Sequence, residues 1–170
     1  FSTQFWQSPT RPWYLIIPIK GSPKAVIPEI GFSAMQKTWI KEIYTWPSLR
    51  SEDEGVSLIS NVINEIPSKF NTIGAELGKE MSLRMPITDF FLLQSTLSRK
   101  IIDASSILWE LRLIKSNAEI EKIKHICKIA SNSFGNLPSL IREGDTERDI
   151  SKKMKIDLIS RGAENIPYLP

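Results

Sequence analysis

The chain has 170 residues, 41% of them hydrophobic and 24% charged, with a formal net charge of +3. That balance belongs to a folded domain and excludes a disordered tail, and the length allows one core with a small appendage rather than two full domains. Lys and Arg are interspersed with Asp and Glu, which excludes a nucleic-acid surface; the densest basic run, "SKKMKID", reads as a solvated helix face. The single cysteine, Cys127, excludes an intrachain disulfide and an all-cysteine metal site, and among apolar helix positions it reads as a small buried hydrophobe. With no basic-then-apolar leader and no apolar run of about eighteen residues, neither secretion nor a membrane span is indicated, and the expected compartment is the cytoplasm.

In chain order, "FSTQFWQSPTRP" reads as an aromatic-rich loop stiffened by Pro9 and Pro12. The first residue is Phe and not Met, which suggests that earlier residues have been removed. "WYLIIP" and "KAVIP" are β-rich runs separated by "IKGSP", which predicts a hairpin with a tight connection. Ser33 and Gln36 have capping-box spacing ahead of Met35, Trp39 and Ile43, which predicts a short helix, and Tyr44–Trp46 then extends. The acidic residues Glu52–Glu54 precede Val56, Leu58, Ile59, Val62, Ile63 and Ile66, and they fit the start of a helix, where negative charge offsets unpaired amides and the dipole. Thr72–Leu77 is a predicted strand, a helix starts near Thr88, and "KIIDAS" is another strand. Alternating short strands and helices predict an α/β domain.

From Ser106 the pattern becomes helical. Ser116 and Glu119 form a capping box ahead of a long helix whose apolar stripe is Ile120, Ile123, Cys127, Ala130, Phe134 and Leu137, ending near Pro138. Thr146 and Asp149 cap a second helix with Ile150, Met154 and Leu158 on one face and Gly162 as its stop. Joined through "REGD", the two helices can pack antiparallel, yet they expose apolar surface unless a further layer covers them.

Candidate chemistry is sparse. His125 is the one histidine and lies two positions from Cys127, so the two side chains point to different faces; it is a metal ligand only if further ligands converge, and otherwise an exposed helix residue or an interdomain hydrogen-bonding group. "EIGFSA", "TIGAELG" and "REGDT" lack the spacing and lysine of a phosphate loop. Arg11 stands between prolines in "SPTRPW", with Phe5, Trp6 and Trp13 nearby. A guanidinium framed by aromatic rings can hold a carboxylate bidentately; simple aromatic packing where the hairpin begins gives the same pattern.

"ELRLIKSNAEIEKIKHICKIASNSF" resembles the interdomain junction of the creatinase, prolidase and aminopeptidase P group (peptidase family M24), whose pattern is close to "xLRxIKSxxEIxxIrxAxxIa". "REGDTERDISKKMKIDLISRGAE" is similar to the element that follows, and "AVIPEIG", "IGAELG" and "IIDASSILWELRLIKS" are similar to the group's amino-terminal domain. The resemblance implies a creatinase N-terminal-like mixed-sheet α/β domain over 1–110, lacking its first elements, and over 111–170 a linker and the first helices of a pita-bread catalytic domain. The group's paired divalent metal ions are held by two Asp, one His and two Glu, all expected beyond "IPYLP", so this chain alone should hold no metal pair and have no catalytic residues. The implied role is substrate binding and homodimerisation, with Arg11 on a substrate carboxylate, in trans across the dimer, and Phe5, Trp6 and Trp13 shaping the pocket. The implied substrate is a peptide or small molecule. Runs such as "FWQSPTRPW" and "LRMP" resemble the relatives that cleave dimethylsulfoniopropionate. The alternatives are therefore such a lyase or a stand-alone non-enzymatic binding domain. Neither nucleic acid nor membrane is an expected partner.

Overall fold

Two strand faces, each apolar, require two covers, and the chain supplies helices to both. The computed structural model describes residues 11–49 and 53–166, which divide into two compact units between Leu108 and Trp109.

In the first unit, β1 (Tyr14–Ile16) pairs antiparallel with β2 (Lys24–Pro28), and β2 pairs parallel with β3 (Glu42–Trp46). The register sets Tyr14, Val26 and Tyr44 side by side and Leu15, Ala25 and Ile43 on the alternate positions. Because successive side chains point to opposite faces, these two rows face two different cores. Leu15, Ala25, Ile27 and Ile43 pack with Met35 and Ile40 around the short helix α1 (Phe32–Met35). Tyr14, Val26, Tyr44 and Trp46 pack on the other side with α2 (Val56–Glu65) and α3 (Ile87–Thr96). A second parallel pair, β4 (Thr72–Ala75) and β5 (Lys100–Asp103), adds Ile73, Ala75 and Ile101 to that same cluster. Cross-strand neighbours Lys24 and Glu42 form an ion pair at the start of the parallel ladder.

The hairpin matches the sequence pattern, but its connection does not. β1 stops at Ile16, and residues 17–23 form a longer link containing Pro18 and Pro23, because a proline cannot supply a ladder amide. The Ser33–Gln36 capping box is also absent. A turn of 3-10 helix (Glu29–Gly31) leads directly into α1, Gly31 occupies the cap position without a side-chain bond, and Trp39 is exposed. At Gly31 an added Cβ would lie 2.4 Å from the Trp13 ring, so tertiary packing and not capping fixes this segment.

Trp46, only 1% exposed, ends β3 against the turn that starts α2. Gly55 takes φ +88° there, and a Cβ would come within 2.7 Å of the indole. Asp53 accepts a hydrogen bond from the Ser57 amide at 3.2 Å. Partial burial pulls the Asp53 carboxyl upward, but hydrogen bonds from the Ser57 side chain and the Ser57, Val56 and Gly55 amides outweigh it and hold the group below the usual carboxylate range. At the other end of α2, Arg99 donates to the Ile63 and Ile66 carbonyls, which offsets the negative helix terminus.

The division between units falls within α4 (Ser105–Leu113). In the second unit, α5 (Asn117–Leu140) and α6 (Glu147–Ser160) both start with complete capping boxes, Ser116 with Glu119 and Thr146 with Asp149. α6 ends in paired bonds, Gly162 N–H to the Ile159 carbonyl and Ala163 N–H to the Leu158 carbonyl, with Gly162 left-handed at φ +103°. Ile150, Met154 and Leu158 are half-buried, as their common face predicts.

The α5 stripe is displaced. Ile129 and Ser133 are the buried residues, while Ile120, Ile123, Ile126 and Phe134 are exposed, and Cys127 is exposed instead of buried. α5 carries apolar residues around much of its girth, and its contact with α6 uses the face of Ile129, Ser133 and Asn136. Asn136 Nδ2 donates to Asp157 Oδ1 at 3.0 Å, and Arg161 Nε donates to Asp157 Oδ2 at 2.6 Å. The guanidinium of Arg161 is the main cause holding the Asp157 carboxyl below its ordinary range.

Two measurements check these packings. Gly55→Ala should lower stability by about 1–3 kcal/mol through the left-handed backbone and the indole clash. Gly135→Ala, in α5 with nothing within 4 Å of the new methyl, should raise it by about 0.5–1 kcal/mol; urea midpoints of opposite sign are expected. Because Asp157 is depressed in the folded chain, its stabilisation is complete above the ordinary carboxylate range, about pH 4, and fades as the pH falls through the lowered value. Helicity followed from neutral to acidic pH should therefore show a shallower acid loss, from a lower starting stability, in Asp157→Asn.

Candidate functional site

The strands form two sheets, β1–β2–β3 and β4–β5, with α1 on one face of the first and α2 and α3 on the other. In open α/β folds, ligands commonly lie beyond the C-terminal strand ends. The groups at this end of the first unit are Tyr14, paired with Val26 of β2; Trp46, the last residue of β3; and the acidic residues that start α2 and α3.

Trp46 Nε1 donates to Glu54 Oε2 at 2.9 Å, and Ser48 Oγ reaches the same oxygen at 3.3 Å. The Tyr14 ring lies 6.2 Å from the Trp46 ring. Its hydroxyl is buried and has no hydrogen-bond partner among the described residues. Burial first, then the carboxylates of Asp89, Asp53 and Glu54, push the phenol far above its usual range, so it stays protonated at any physiological pH. A neutral, buried phenol that feels the charge of three carboxylates is a polar feature of this edge.

Arg11 lies three positions before Tyr14 and is half-buried. Trp13 turns to the opposite core, where its ring covers Gly31, and its buried Nε1 likewise has no partner among the described residues. Phe5 and Trp6 lie outside the described residues. The run Glu52–Glu54, one helix-start cluster in the sequence, divides its roles in the structure. Asp53 fulfils the helix-start role, Glu54 holds the Trp46 indole, and Glu52 lies outside the described residues. Tyr14 and Asp89 gave no sequence signal, because their approach depends on how β1 and α3 pack.

A second polar loop closes the β4–β5 pair. Asp103 Oδ1 accepts from the Ser105 hydroxyl at 2.6 Å and from the Ser105 and Leu77 amides at 3.0 and 3.3 Å, and Ser105 Oγ accepts from the Gly78 amide at 2.8 Å. The Ser105 hydroxyl is the first cause of the lowered Asp103 carboxyl. With Oδ1 committed to this network, Asp103 acts as a loop fastener.

Among the described residues no group of three or more His, Cys, Asp and Glu side chains could hold a metal ion, so these residues do not fit a dinuclear centre. His125 is exposed on α5 and borders an open groove of about 650 Å³ with Glu121, Lys122, Gly162, Glu164 and Asn165. Among the described residues no helix is long and apolar enough to cross a membrane.

No family model matches the chain. It is 20% identical over 159 residues to the probable dipeptidase PepE of Mycobacterium tuberculosis, covering 91% of this chain and 39% of that protein. A prolidase structure from Thermococcus sibiricus superposes with a TM-score of 0.76 at 20% identity, over 94% of this chain and 41% of that one. The X-Pro aminopeptidase of Thermotoga maritima gives 0.67 at 22% identity, over 86% and 38%. The chain therefore spans about two fifths of the length of the proteins it matches. These likenesses define a mixed α/β fold of the kind that precedes a pita-bread catalytic domain.

The unpaired phenol generates a test. Tyr14→Phe removes a buried hydroxyl that has lost water without gaining a partner, so stability should stay level or rise by about 1 kcal/mol. Trp46→Phe, which removes the indole donor to Glu54 and part of the core, should instead lower it by about 1–3 kcal/mol. Denaturant midpoints of the two variants provide the comparison.

Proposed function

We propose that this chain is the substrate-shaping, amino-terminal part of a metal-dependent peptidase of the prolidase and aminopeptidase P kind, acting on peptides with a free carboxylate. The reading rests chiefly on the shared fold, which extends over 94% of the chain in the prolidase comparison. The proteins named above are peptidases, which favours this substrate class over the dimethylsulfoniopropionate reading.

In this proposal Arg11 carries recognition. Its planar fork of donors matches a carboxylate, and Pro12 restricts the adjoining backbone, which lowers the ordering cost of binding. Phe5 and Trp6 supply apolar walls, Trp13 anchors the end of the loop in the core beside Gly31, and the loop serves the active site of the partner in a homodimer. A paired-metal centre, which would supply an activated water, would be held by residues other than the described ones. The expected compartment is the cytoplasm.

Two assays test the proposal. The chain by itself, supplied with manganese, cobalt or zinc and an Xaa-Pro dipeptide, should show no hydrolysis above the metal-only blank; turnover that copurifies with it overturns the division of labour. In a protein joining this chain to a catalytic portion, Arg11→Ala should raise KM for an Xaa-Pro dipeptide by about 10- to 100-fold, with much less effect on the corresponding C-terminal amide. Equal losses on both substrates would make Arg11 a packing residue.

A further inference from the structure

We draw no further inference here: the strongest candidate, the exposed apolar surface of α5 formed by Ile120, Ile123, Ile126 and Phe134, carries nothing because no feature of the structure shows what covers it.

Discussion

The burial of Trp46 at the end of β3 is the constraint on which the first unit depends. A single indole there meets three requirements together: it fills the core beneath α2 and α3, it stacks beside Tyr14, and it donates its N–H to Glu54. A buried indole without an acceptor would carry the desolvation cost of an unmade hydrogen bond, so Glu54 must lie where it does. Once Glu54 is held there, the chain has little room to turn into α2. Gly55 makes the turn because a side chain would need both a left-handed backbone and space already taken by the ring. Strand, acid, glycine and helix thus form one unit of packing.

The second unit is held by different means. α6 has no fully buried residue, and the α5 contact buries only Ile129 and Ser133 along the helix. What fixes the pair is local and polar: two capping boxes, the Asn136–Asp157–Arg161 chain, and the Lys153–Asp145 bridge beside the connecting turn. Such contacts specify geometry more than they supply net stability, since exposed ion pairs exchange strong hydration for modest attraction. Much of the apolar surface of α5 stays exposed beside them.

The two units also differ in polar content. The C-terminal edge of the first sheet brings together a buried, protonated phenol and the Asp89, Asp53 and Glu54 carboxylates whose charge helps to raise it. Among the described residues no set of three or more His, Cys, Asp and Glu side chains converges on one point. A fold by itself does not fix a function, which is decided by the groups that a site brings together.

Periodicity and caps were legible from the residues alone, because they depend on neighbours three or four positions apart. The starts of α5 and α6, the Gly162 stop, the hairpin pairing and the α/β alternation all follow from such local chemistry. The choice among possible partners was not legible. α5 offers apolar residues on several faces, so only its contact with α6 decided that Ile129 and Ser133 are buried while Cys127 and Phe134 are not. The Gly31 turn was settled by the Trp13 ring and not by a capping residue. The approach of Asp53, Glu54 and Asp89 to Tyr14 likewise needs three segments far apart in sequence to meet at one sheet edge. Local bonds are encoded within a few residues, whereas burial is a property of whole surfaces, and it exists only after those surfaces have met.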